Sequence, residues 1–223
     1  MSTAVVKSRG THSLLAAYLA QLATHPLRTK AITVGTLCFL QEVLASHLAG
    51  VPMRKPLWID PWYKHLLLRA KVDSKAFKMA IYGFLVSAPL GHFLVGWLQK
   101  AFVGRTGTSA KVAQIIASNL LIAPVQATVY LASMAVINGA KSLDEIKKTV
   151  RGGFMTVLRV SWVSSPLSMA FAQNFLPPDL WVPFFNLVSF SIGTYFNTRV
   201  KSLKLAAERK KAAEEGKGKA KDQ

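Results

Sequence analysis

Negative charge is scarce in this sequence. Of 223 residues only 10 are Asp or Glu, against 28 Lys and Arg, giving a formal net charge of +18. No acidic residue precedes Glu42, whereas Lys7, Arg9, Arg28 and Lys30 do, a pattern like a mitochondrial presequence or an ordinary basic flank to a first span. A single cysteine, Cys38, excludes an intrachain disulfide and reads as a small buried residue inside an apolar stretch. Catalytic signatures are missing as well: there is no Gly-rich phosphate loop, zinc-ligand spacing, GxSxG elbow or dinucleotide fingerprint. The histidines His12, His25, His47, His65 and His92 are not paired at ligand spacing. The sequence therefore points away from an enzyme, and no catalytic residue, metal or cofactor is assigned. Without a zinc-finger spacing or an aromatic RNA-binding signature, the positive charge does not point to nucleic acid either.

Charge of either sign is absent from long runs. Met79 to Gln99, Val112 to Ala140, Val160 to Pro178 and Leu180 to Thr198 hold no Lys, Arg, Asp or Glu, and Ala31 to Met53 holds only Glu42. Each meets or approaches the roughly 20 residues that carry a helix across about 30 Å of hydrocarbon. A chain this short has no shell in which to bury so many bare helices. The fold class expected is all-α: a polytopic helical membrane protein with four or five transmembrane helices plus amphipathic helices. Residues 1–200 form one membrane domain, and 201–223 a basic, largely disordered tail.

Residues 11–25 have the periodicity of a short amphipathic helix, broken at His25-Pro26 because proline has no N–H to donate. Spans are expected at about 29–50, 77–99, 112–138 and 180–198. The basic loop 54–78 carries Trp58, Trp62 and Tyr63, residues that favour the headgroup layer. Ser142 and Glu145 form a capping-box pair that opens a helix running past Arg159 into Ser161, Ser165 and Ser168. The basic loops and tail suit anionic headgroups.

Several residues are candidates for function. Asn119, Gln126 and Ser133 recur every seven residues and so share a helix face, which must meet protein or water rather than lipid. With Arg159 and Glu42 they are candidate pore-lining residues; interhelical hydrogen bonding is the plainer role for each alone. Glu42 is an intramembrane carboxylate that needs a cavity or a cation, with Arg28, Lys30 and Arg159 as candidate partners. Gly83, Ser87 and Gly91, four residues apart, are candidate helix-packing positions, and Pro89 among them should kink the helix.

Some of these pieces form a family pattern. Tyr18-Leu-x-x-Leu-x-x-His-Pro26, Thr29-Lys30-Ala-x-Thr33-x-Gly35, Tyr82-Gly83-Phe84 with Pro89-Leu90-x-His92-Phe93, Ala123-Pro124, and Arg151-Gly152-Gly153-Phe154 with Leu158-Arg159 together resemble the family of the 22-kilodalton peroxisomal membrane protein and the Mpv-seventeen proteins. The resemblance runs from about Leu15 to Ser202 and leans to the peroxisomal branch. Near its end the chain diverges, with Ser165 before Pro166, Met169 at a family Gln and Trp181 near a family Arg. The resemblance implies a small helical protein of the peroxisomal membrane or, alternatively, the mitochondrial inner membrane. It implies, as in some members, a weakly selective channel for small metabolites, expected here as a homo-oligomer. The alternative it carries is a fungal sorting protein that gathers Woronin-body matrix protein as cargo without transport.

Overall fold

The computed structural model describes residues 13–52, 72–104, 107–177 and 180–221. The loop aromatics Trp58, Trp62 and Tyr63 and the first basic residues, Lys7 and Arg9, lie outside the described residues. Every regular element described is helical. Helix α1 spans Ser13–Thr24 and α2 spans Pro26–Leu48. Helix α3 spans Ser74–Ala101 and is built from Ser74–Tyr82, a π-helical turn Gly83–Ser87, and Ala88–Ala101. Helix α4, residues 108–137, repeats that plan with Thr108–Ala117, a π turn Ser118–Ile122, and Ala123–Ile137. Helix α5 spans Leu143–Phe175 and α6 spans Trp181–Lys221.

Local chemistry accounts for the boundaries. His25 leaves helical geometry at φ −132° and ψ 68°, and Pro26 then starts α2 where its missing N–H is no loss. Thr29 Oγ1 donates across this joint to the Gln21 carbonyl at 3.0 Å, so α1 and α2 are held at a fixed bend. Helices α2 and α4 stop in the same way. Gly50 and Gly139 take φ of +65° and +98°, and the amides of Val51 and Ala140 reach back to the Ser46 and Ala135 carbonyls at 3.1 and 3.0 Å. Ser142 caps α5 by accepting the Glu145 N–H at 3.2 Å, and the Glu145 carboxylate accepts the Lys141 N–H at 2.9 Å.

The two π turns share a cause. Each is followed at once by Ala-Pro, at Pro89 and at Pro124. A proline ring would clash with the carbonyl four residues back, and one wider turn relieves the clash without breaking the helix. The kink anticipated at Pro89 thus takes the form of a π turn.

Contacts between helices fix their directions. Glu42 meets Lys75 while Gly35 meets Ala80, so α2 and α3 are antiparallel. Gly153 meets Leu131 while Trp162 meets Asn119, so α4 and α5 are antiparallel. Gln41 meets Ser189 while Ser46 meets Lys201, so α2 and α6 run the same way. Helices α2 to α6 therefore alternate in direction.

Large apolar side chains such as Phe93, Trp97, Leu120 and Val163 point outward, while the buried core is rich in alanine. That inversion suits a bilayer, where lipid is as apolar as leucine and close packing of small residues holds helices together. Among the described residues, three helices are long and apolar enough to span: Pro26–Leu48, Ser74–Ala101 and Val112–Ile137. The molecule is an all-α polytopic membrane fold. The length and hydropathy test thus finds three spans where the sequence gives four or five. The charge-free half of α5 carries Ser161, Ser164, Ser165, Ser168, Gln173 and Asn174, and that of α6 carries Asn186, Ser189, Ser191 and Asn197, and these polar side chains lower the hydropathy of both. Helix α6 also passes the expected boundary at residue 200 and continues to Lys221, since Lys, Ala and Glu are good helix formers.

Gly83 is the tightest point between α2 and α3. A β-carbon built on it would stand 2.8 Å from the Val34 carbonyl oxygen and 2.9 Å from Gly35 Cα, both backbone atoms that cannot yield. Gly83→Val should destabilise the detergent-solubilised protein by about 1–3 kcal/mol. Gly96→Ala, with nothing within 4 Å of the new atom, should be close to neutral. Thermal unfolding followed by circular dichroism compares the two.

Candidate functional site

Two polar features stand inside this apolar bundle. The first is an ion cluster at the end where α2 finishes, α3 begins and α6 leaves its apolar stretch. Glu42 is 2% exposed. Its Oε1 accepts from Lys201 Nζ at 2.7 Å and from Lys75 Nζ at 3.3 Å. Lys201 also donates to the Glu42 carbonyl at 3.1 Å and to Ser46 Oγ, and Ser46 Oγ donates to the same carbonyl at 2.9 Å. Glu42 Oε2 has no hydrogen-bond partner among the described residues. Burial pushes the Lys201 ammonium below its ordinary range, and the carboxylate beside it acts in the opposite direction. The partners of Glu42 are thus Lys75 and Lys201, not the Arg28, Lys30 or Arg159 expected from sequence. The signal that could have found them is positional: both lysines border apolar runs at the bundle end where Glu42 sits.

The second feature is a partly open cavity of about 390 Å³ lined by α3, α4, α5 and α6. Asn119, Gln126 and Tyr130 line it from α4, and Tyr82 and Ser87 from α3. Helix α5 contributes Ser161, Ser164, Ser165 and Ser168, whose spacing puts all four on one face. Both π turns border it, through Ser87 and through Ser118 and Asn119. Asn119 is held by donating to the Ile115 carbonyl at 2.9 Å, and its own carbonyl accepts from Trp162 Nε1 at 3.0 Å.

The cavity brings together Asn119, Gln126 and Ser87. Ser133, Arg159 and Glu42 are not among its lining residues. Arg159 is exposed, two residues and so roughly 200° around the helix from Ser161. Gly83 lies against α2, and a β-carbon on Gly91 would come 3.4 Å from Gln126 Nε2. The serines Ser161, Ser164, Ser165 and Ser168 are the feature that a reading by sevens along α4 could not pair with Asn119. No group of three or more His, Cys, Asp or Glu side chains gathers among the described residues.

An alternating bundle of apolar helices with a buried ion cluster and a polar cavity defines a multi-pass helical membrane protein. Comparison with known proteins then assigns the family: the chain belongs to the Mpv17/PMP22 family. The family model matches residues 135–197. A Woronin body membrane protein of Aspergillus fumigatus is 52% identical over 196 residues, covering 88% of this chain and 80% of that protein. A Woronin sorting complex protein of Neurospora crassa is 51% identical over 214 residues, covering 95% of this chain and 66% of that protein. The peroxisomal membrane protein PMP22 of Arabidopsis thaliana is 26% identical over 87% of this chain and 93% of its own length. No solved structure matches the chain.

The ion cluster makes a stability prediction. Glu42→Leu leaves two ammonium groups facing an apolar wall and should cost about 3–5 kcal/mol, the range for breaking a buried pair from one side. Glu42→Leu with Lys201→Met removes the more buried cation too and should be more stable than Glu42→Leu alone. Thermal unfolding of both variants in one detergent decides; additive losses would contradict the pairing.

Proposed function

We propose that this chain is a sorting protein of the peroxisomal membrane that gathers a Woronin-body protein cargo and does not itself transport solutes. The observation that carries the reading is the 52% identity over 88% of the chain to a protein named for the Woronin body membrane. The similarity to a protein named for a Woronin sorting complex agrees with it, and the plant relative's name supports the peroxisome. The geometry adds a reason. The loop that follows α2 and the basic end of α6 are the segments a cargo-gathering protein would offer, and the Glu42 cluster ties the described end of each to one end of the bundle. In this reading all five long helices cross the membrane, with the two termini on opposite sides. Their alternating directions support it.

A fungal strain lacking its Woronin sorting protein provides the test. The full chain should restore Woronin bodies and co-localise with a peroxisomal marker. A version ending at Lys201 should reach the same membrane and fail to restore them. Mitochondrial location, or full rescue by the shortened chain, would contradict the reading.

One observation favours a second reading, a weakly selective channel for small metabolites. It is the polar cavity, since hydroxyl and amide groups in a membrane bundle face water or protein at lower cost than lipid.

A further inference from the structure

The cavity differs from the rest of the molecule in one respect. In a chain carrying 28 Lys and Arg, no charged side chain among the described residues lines it. Its walls are hydroxyls, two carboxamides and apolar surface. The α5 serines face it from one side, Asn119 and Gln126 from another, with Ser87 and Ser189 on α3 and α6. A charged solute here would lose its hydration and meet no counter-charge, a cost of several kcal/mol per ion. An uncharged solute with many hydroxyls would exchange its water hydrogen bonds for these groups at little cost.

Interhelical glue is the competing explanation, and the contacts argue against it. The side-chain hydrogen bonds that cross between helices here are made by Trp162 Nε1 to the Asn119 carbonyl at 3.0 Å and by Tyr130 Oη to Asn197 Oδ1 at 3.3 Å. Among the described residues the four α5 serines take no part in such bonds, and a space of about 390 Å³ separates them from the carboxamides opposite. That volume lies within the range of sites that hold small organic molecules. The lining hydroxyls and carboxamides offer both donors and acceptors, and none of the described residues that line the space is charged.

We propose that this cavity is a binding site for a small uncharged polyhydroxylated molecule of sugar-alcohol size. The assignment uses the same cavity as the channel reading but requires no conduction, and it does not depend on the sorting reading.

The test measures binding by the full chain in nanodiscs with isothermal titration calorimetry. The probes are xylitol and its sugar acid xylonate, which keeps the carbon chain and adds one negative charge. Saturable xylitol binding is expected, with xylonate at least tenfold weaker. Ser164→Val with Ser168→Val should weaken xylitol at least tenfold. Gln126→Leu, on the facing helix, should weaken it in the same direction and serves if the serine variant fails to fold. Ser202→Ala, outside the cavity, should leave it unchanged. Absence of saturable xylitol binding, equal affinity for xylonate, or undiminished binding by a folded cavity variant would overturn the assignment. None of these outcomes bears on rescue of the fungal strain, so the two readings fail separately.

Discussion

A carboxylate buried in a membrane bundle has to be matched by cations, and Glu42 is matched by two. Lys75 comes from the first turn of α3 and Lys201 from α6 just past its apolar stretch, 3.3 and 2.7 Å from the same oxygen. Because long cationic side chains reach a buried partner from near the edge of an apolar stretch, this pairing holds the end of α2, the start of α3 and the middle of α6 together at one end of the bundle. It also fixes α6 parallel to α2, which the alternation of the remaining helices then requires. Without it, the basic helix after residue 200 and the loop after α2 would have no common anchor.

Packing elsewhere divides into a closed half and an open half. Between α2 and α3, Gly35 and Gly83 bring backbones into contact, and the Gln41 amide spans to the Ser189 and Phe190 carbonyls of α6. Helices α4 and α5 pack closely where Gly153 meets Leu131, and farther along them polar side chains of both face the cavity. The bundle thus holds close backbone packing on α2 and a separate polar cavity that no described residue of α2 lines.

Much of this could be read from residues alone. Charge-free runs located α2, α3 and α4 to within a few residues, since nothing but lipid or a neighbouring helix tolerates them, whereas α5 begins before its run and α6 continues past its own into charged sequence. His25-Pro26 and the Ser142–Glu145 cap placed boundaries because their chemistry is local. The seven-residue spacing put Asn119 and Gln126 on one face, and both line the cavity; Ser133 does not, because an α-helix drifts about 20° per heptad and the cavity ends near Tyr130. What escaped the sequence depends on distant pairing. Lys201 stands 159 positions from Glu42, and no local rule links them. The π turns escaped too: Pro89 and Pro124 predict strain, but not which way the helix relieves it.

The central claim is that the loop after α2 and the basic end of α6 stand on the same side of the membrane, opposite the α3–α4 turn. Single cysteines at Ala49, Ala207 and Val103, each in a Cys38→Ser background, can be probed on intact organelles with a membrane-impermeant maleimide. The account predicts that Ala49→Cys and Ala207→Cys label under the same condition, while Val103→Cys labels only under the other, before or after permeabilisation. Labelling of Ala49→Cys and Ala207→Cys from opposite sides would contradict it.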